Sequence, residues 1–204
     1  MITFETFSTC LAGLGGRADR AAFESLLASY TEAGRHYHDT SHIEECLRGL
    51  EAHRDLALHP QEIEAAIWFH DAVYDTRAND NEQRSADLAQ HSLCRAGVDE
   101  ERSGRVVDMI LATKTHHAST SDCALMVDID LAILGTRKDV FEQYDANIRC
   151  EYAWVPRETY RPARAKILRS FLERDTIYQT PRLRELYEEH ARANLRSKLA
   201  ELER

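Results

Sequence analysis

The densest chemistry in the chain lies in Trp68-Phe69-His70-Asp71-Ala72-Val73-Tyr74-Asp75-Thr76. A neutral imidazole beside a carboxylate is a ligand pair for a divalent ion. Burying ionised Asp71 among large apolar neighbours costs several kcal/mol unless a cation compensates it, and a metal ion is the strongest such cation. Read as helix, the phrase puts Asp75 one turn beyond Asp71 on the same face, within reach of a ligand or a bound water that it would position or deprotonate. The chain has ten histidines, and six of them fall between His36 and His70.

Two further segments carry matching residues. His42 follows Tyr37-His38-Asp39-Thr40-Ser41 and sits in the first turn of the helix that Ser41 opens. The stretch 124–135, Ala-Leu-Met-Val-Asp-Ile-Asp-Leu-Ala-Ile-Leu-Gly, is apolar on every face apart from Asp128 and Asp130, so it reads as a buried helix in which each carboxylate needs a partner. Residues 128 and 130 lie about 200° apart around a helix, so one of them is a ligand and the other a structural acceptor. Donors for a phosphate are Arg35, His36 and His38 ahead of His42, and Lys114 and His116 at the end of another helix. His53, His59, His91 and His190 stand among charged residues and read as surface positions, while Trp68, Trp154 and Tyr160 read as packing groups.

The elements that must position these groups are helical. Apolar residues recur at three and four positions, and no stretch alternates as a strand does. The spacing predicts helices over about 18–33, from the Ser41–Glu44 capping box to about 53, from Pro60 through Val73, and over 80–96, 100–115 and 122–134. Gly135 ends the last of these, and Thr136 with Asp139 caps the next. The stretches 161–174 and 181–203 are long, charged and amphipathic, and their Arg and Glu residues read as solvated faces with i,i+4 ion pairs. The reading is one all-α domain over 1–204, a helical bundle with a metal-site core at about 20–135 and a C-terminal extension of amphipathic helices, about 136–204, packed on it.

Composition narrows the function. With 26 Lys+Arg against 35 Asp+Glu the net charge is −9, which disfavours general nucleic-acid or anionic-membrane binding because both need a positive field. A mean hydropathy of −0.51 and the lack of a long apolar run predict no membrane span. Five scattered cysteines without a Cys-x-x-Cys pair are neither a disulfide framework nor a thiolate zinc site, and fit a reducing cytoplasm. The opening residues MITFETFSTCLAGLGG do not read as a secretory signal.

The order His, His-Asp, Asp on separate helices resembles the HD superfamily of metal-dependent phosphohydrolases. His42 matches the first His, His70-Asp71 the pair that names the family, and Asp130 the last Asp. Residues 70–76, HDAVYDT, resemble the HDxxEDT motif of the hydrolase domain of guanosine tetraphosphate synthetase/hydrolase enzymes, with Tyr74 where that motif has Glu. RHYHxxxHI (35–43), FHDxVYD (69–75), NDNEQRSA (79–86), DIDLAILG (128–135), YxxNIRxEY (144–152) and ARxNL (191–195) are similar to a bacterial group of predicted HD phosphohydrolases. The resemblance implies an HD-domain-like bundle holding one divalent cation (Mn, Fe, Mg, Ni or Zn) on His42, His70, Asp71 and Asp130. It implies hydrolysis of a small phosphorylated metabolite, a nucleotide by preference, with Asp75 as base and His116 lining the site. Some members hold a second metal on two extra histidines, for which His116 and His117 stand in the right order. The alternative is a non-catalytic module that binds metal and nucleotide and offers a partner surface. The resemblance leaves oligomeric state open.

Overall fold

The computed structural model describes residues 1–204, and they form ten α-helices and no strand. The chain divides into two compact units, Met1–Ile129 and Asp130–Arg204. The first contains α1 (Phe4–Gly13), α2 (Arg20–Tyr30), α3 (Thr40–Ala52), a 3₁₀ turn (Arg54–Leu56), α4 (Pro60–Phe69), α5 (Asn81–Ala96), α6 (Glu100–Thr115) and α7 (Ser121–Asp130), the boundary falling in the last turn of α7. The second contains a 3₁₀ segment (Leu131–Gly135), α8 (Lys138–Glu151), α9 (Arg157–Leu172) and α10 (Pro181–Leu202).

In the first unit α4 is the hub, packed on by α1, α3, α5 and α6. Its sequence allows this: Ile63, Ala65, Ala66, Ile67, Trp68 and Phe69 are all buried, and the two alanines let neighbouring backbones come close. Each fully buried Ile or Phe contributes about 1.5–3 kcal/mol. Two polar contacts fix its orientation. Glu62, in its first turn, accepts from Nε and Nη2 of Arg105 on α6 at 2.7 Å each. Asp122, in the first turn of α7, accepts from the backbone N–H groups of Leu58 and His59 at 2.8 and 2.9 Å, securing the approach to α4. Gly49 lets α3 approach α7, since a Cβ there would meet Ile129 at 3.1 Å.

Several helix boundaries differ from the sequence reading. Phe4–Gly13 is a helix opened by a Thr3–Thr6 capping box, a signal the reading passed over. Asp39, not Ser41, caps α3: its carboxylate accepts from the Ser41 N–H at 2.7 Å, and Glu44 faces the Ile2 N–H instead. The helix expected to run through Val73 stops at Phe69. The stretch 122–134 splits into α7 and the 3₁₀ segment. Thr136 donates back to the Ile133 carbonyl and Arg137 occupies the N-cap of α8, so no Thr136–Asp139 cap forms.

In the second unit the 3₁₀ segment lies against α10. Tyr178 donates to the Leu131 carbonyl at 3.0 Å, and Asn194 donates to those of Leu134 and Thr136 at 2.9 Å. Gly135 is needed here for space: a Cβ would lie 2.7 Å from the Tyr187 carbonyl oxygen. The charged helices are less solvated than their composition implies. Arg161 holds the Leu202 carbonyl, Arg192 holds those of Leu172 and Arg174, and Asp145 receives both Arg164 and Lys198. Trp154, expected in packing, is 48% exposed.

Because the Glu62 side chain is 4% exposed and Arg105 35%, the two substitutions are unequal. Arg105→Met leaves a buried carboxylate uncompensated and is expected to lower stability by about 2–3 kcal/mol. Adding Glu62→Met should recover most of that loss, as measured by denaturant unfolding of the single and double variants.

Candidate metal centre

His70 takes its place from the end of α4. Its backbone is still helical, with its N–H on the Ala66 carbonyl at 2.9 Å, and its ring Nδ1 lies 2.9 Å from the Ile67 carbonyl. A carbonyl only accepts, so Nδ1 carries the hydrogen and Nε2 of the neutral ring offers a lone pair. His42, on the third residue of α3, turns its own Nε2 to within 3.1 Å of that atom. Asp71 Oδ2 completes a triangle, 3.1 Å from His70 Nε2 and 3.5 Å from His42 Nε2. Both histidines are 2% exposed.

These distances are informative. Ligand bonds of about 2.1 Å opening at right to tetrahedral angles separate donor atoms by about 3.0–3.4 Å. In the neutral protein, by contrast, the His70 Nε2 lone pair would face a carboxylate oxygen at 3.1 Å, acceptor against acceptor. A proton carried by one of the three groups, or a divalent ion among them, would relieve that contact. Burial pushes the Asp71 carboxyl up, but the His70, His38 and His42 rings outweigh it and hold the group well below the usual carboxylate range.

The two aspartates of the buried segment separate clearly. Asp128 is 0% exposed and belongs to neither group of ligand atoms that converge here. Asp130 ends α7 and is the first residue of the second unit. Cys46 is a ligand candidate the sequence reading missed. It follows His42 by one helical turn on α3 and is 2% exposed, with Sγ 3.8 Å from the His42 ring nitrogens, and the i,i+4 spacing was the available signal.

The loop after α4 corrects two other expectations. Asp75 is not one helical turn beyond Asp71, because the backbone bonds that would continue α4 are made by side chains. Arg35 Nη1 donates to the Asp71 carbonyl at 2.6 Å and Nη2 to that of Ala72 at 3.0 Å. Ser85 receives the Val73 N–H at 3.0 Å, and Asn81 bridges the N–H and carbonyl of Asp75. The exposed Asp75 carboxylate accepts from the Arg77 N–H at 2.9 Å, an Asx turn. Arg35, expected to meet phosphate, is 8% exposed, and its remaining donors go to the His38 carbonyl and Glu32. It is a latch between the 35–38 loop and the loop carrying Asp71.

Of the other candidates, His38 is half-buried near the triangle, its ring 4.3 Å from Tyr74 and 5.8 Å from His42, while His36 is exposed. Lys114 Nζ donates to the Asn79 carbonyl at 2.6 Å and pairs with Glu82 at 3.6 Å. His116 ends α6 in the left-handed conformation (φ 52°) and His117 follows it exposed; neither joins a group of converging ligand atoms. His53, expected at the surface, is buried at the C-cap of α3. No helix is long and apolar enough to cross a membrane. No protein-family model, no curated protein and no solved structure matches the chain.

Ion binding at this triangle would be linked to folding. At about 100 times its dissociation constant an ion adds about 2.7 kcal/mol of stability, so chelation is expected to lower the thermal midpoint by about 5–10 °C. Added Mn²⁺ should restore it, and His70→Ala should abolish the difference; equal midpoints with and without chelator would exclude a site. Arg35→Met removes a contact outside the ligand set. It should weaken Mn²⁺ binding by about 10–100-fold, read by calorimetric titration of protein that far-ultraviolet circular dichroism shows to be folded.

Proposed function

We propose that the protein is an HD-type metal-dependent phosphohydrolase acting on a small phosphorylated metabolite, a nucleotide by preference. The observation that carries this reading is the triangle of His42 Nε2, His70 Nε2 and Asp71 Oδ2, with sides of 3.1, 3.1 and 3.5 Å. Its residues occur in the chain order His, His-Asp, with Asp130 following at the end of α7. That donor set fits a single divalent ion, and two imidazoles with carboxylate favour Mn²⁺ or Fe²⁺ over a purely oxygen-ligated ion. When bound, such an ion supplies Lewis acidity toward water and toward a phosphoryl oxygen.

The chain's own groups do the rest. The Ile67 carbonyl fixes the His70 ring so that its Nε2 faces the site. His38, half-buried beside Tyr74 and expected from the sequence as a phosphate donor with Arg35 and His36, is the proposed donor to a phosphoryl oxygen. Asp75 is the proposed base on the resemblance of HDAVYDT to HDxxEDT, and its carboxylate is held by its turn rather than by a helix.

Metal-loaded protein incubated with a panel of nucleotides and phosphate monoesters tests the reading. Turnover that falls at least a hundredfold in His70→Ala and Asp71→Ala is expected, and no turnover of any ester would overturn it. Tight nucleotide binding without hydrolysis would instead support the non-catalytic alternative. Asp75→Asn keeps an acceptor for the Arg77 N–H but loses its basicity. It should lower kcat about a hundredfold with metal affinity unchanged.

A further inference from the structure

Outside the metal centre, the first unit contains a cleft of about 460 Å³ between α2 and α5. It arises from side-chain size. The face of α2 turned toward it carries Ala22, Ser25 and Ser29, too small to reach the facing stripe of Leu88, His91, Ser92 and Arg95 on α5. Its floor is apolar, made by Phe7, Leu11, Leu26 and Phe69, all buried residues of the core.

The cleft has a charged end and an apolar end. Arg17 lines it at the entrance to α2, and its backbone N–H donates to the Ala96 carbonyl at 2.8 Å, which brings it to the α5 terminus that carries Arg95. Both arginines are exposed, and neither guanidinium has an ion pair or hydrogen bond in the protein. Asp19 also lines this end, where its carboxylate caps α2 by accepting from the Ala21 N–H at 3.3 Å. The N-terminus of α2 opens at the same end and adds to the positive potential. Leu88 and Phe69 mark the other end; seven residues of α5 separate Leu88 from Arg95, about 10 Å along the helix.

We propose that this cleft binds an amphipathic carboxylate, its head on Arg17 and Arg95 and an apolar body about 10 Å long on Phe7, Leu11, Leu26 and Phe69. Guanidinium matches carboxylate in a bidentate geometry and stays charged at any physiological pH. A volume of this size is that of small-ligand sites. The site is distinct from the metal centre and does not depend on the protein being a hydrolase.

Octanoate has the required charge and length. Calorimetric titration of the full chain, in the presence of chelator, should show one octanoate per chain. Arg17→Gln with Arg95→Gln, both exposed and without partners, should weaken binding at least tenfold while leaving the thermal midpoint of the free protein in place. Ala22→Trp, on an exposed helix position, should fill the cleft and abolish binding. Octanol, with the same body and no charge, should bind at least tenfold more weakly than octanoate. Absence of saturable octanoate binding overturns the proposal, as does equal binding of octanol or unchanged binding in either variant.

Discussion

The first unit is organised around one guanidinium. Arg35 is almost wholly removed from solvent and lies near the Tyr30 and Tyr74 rings, 5.0 and 5.4 Å from their centroids. It donates to the carbonyls of His38, Asp71 and Ala72. A carbonyl taken by a guanidinium no longer needs a helical N–H four residues on, so α4 can end where apolar periodicity alone would carry it forward. At that ending the Asp71 carboxylate oxygen lies 3.1 Å from His70 Nε2, so two adjacent residues bring their ligand atoms together.

A comparable economy runs through the carboxylates of α7. Asp122, Asp128 and Asp130 stand on one ten-residue helix and do different things because of position. Asp122 lies where free N–H groups of a preceding loop are available and takes two of them. Asp128 faces the interior, and Asp130 ends the helix.

Much of this was legible in the sequence where a signal was local. Helical periodicity placed α5 and α6 to within a residue, and the apolar run at 124–135 announced a buried helix. Ligand chemistry singled out His42, His70 and Asp71 as candidates, and the resemblance to the HD superfamily implied that they share one site. What escaped the reading depends on contacts far apart in the chain. Arg35 meets Asp71 and Ala72 across 36 and 37 positions, and composition cannot distinguish a latch from a phosphate donor. Asp75 was misplaced for the same reason: Ala72 and Val73 continue an apolar pattern, and only Ser85, 12 residues beyond Val73, and Asn81, 6 beyond Asp75, reveal that the backbone is held in a loop. Arg161 and Arg192 looked like solvated charge because their acceptors are carbonyls at distant helix ends.

The polar site places opposite demands on the fold. Taking two nearly buried imidazoles and a carboxylate out of water costs free energy, so the site alone favours opening. The surrounding contacts resist that opening without using the ligand atoms. Glu62 with Arg105 fixes the start of α4, Asp122 fixes the loop before it, and Arg35 fixes the loop after it. Each acts through groups other than the ligand atoms His42 Nε2, His70 Nε2 and Asp71 Oδ2. The scaffold therefore holds the triangle in place through contacts that an ion bound there would not displace. Preorganisation of this kind shortens the list of ions by geometry as well as by ligand type, because the triangle is already set near 3 Å on two of its sides.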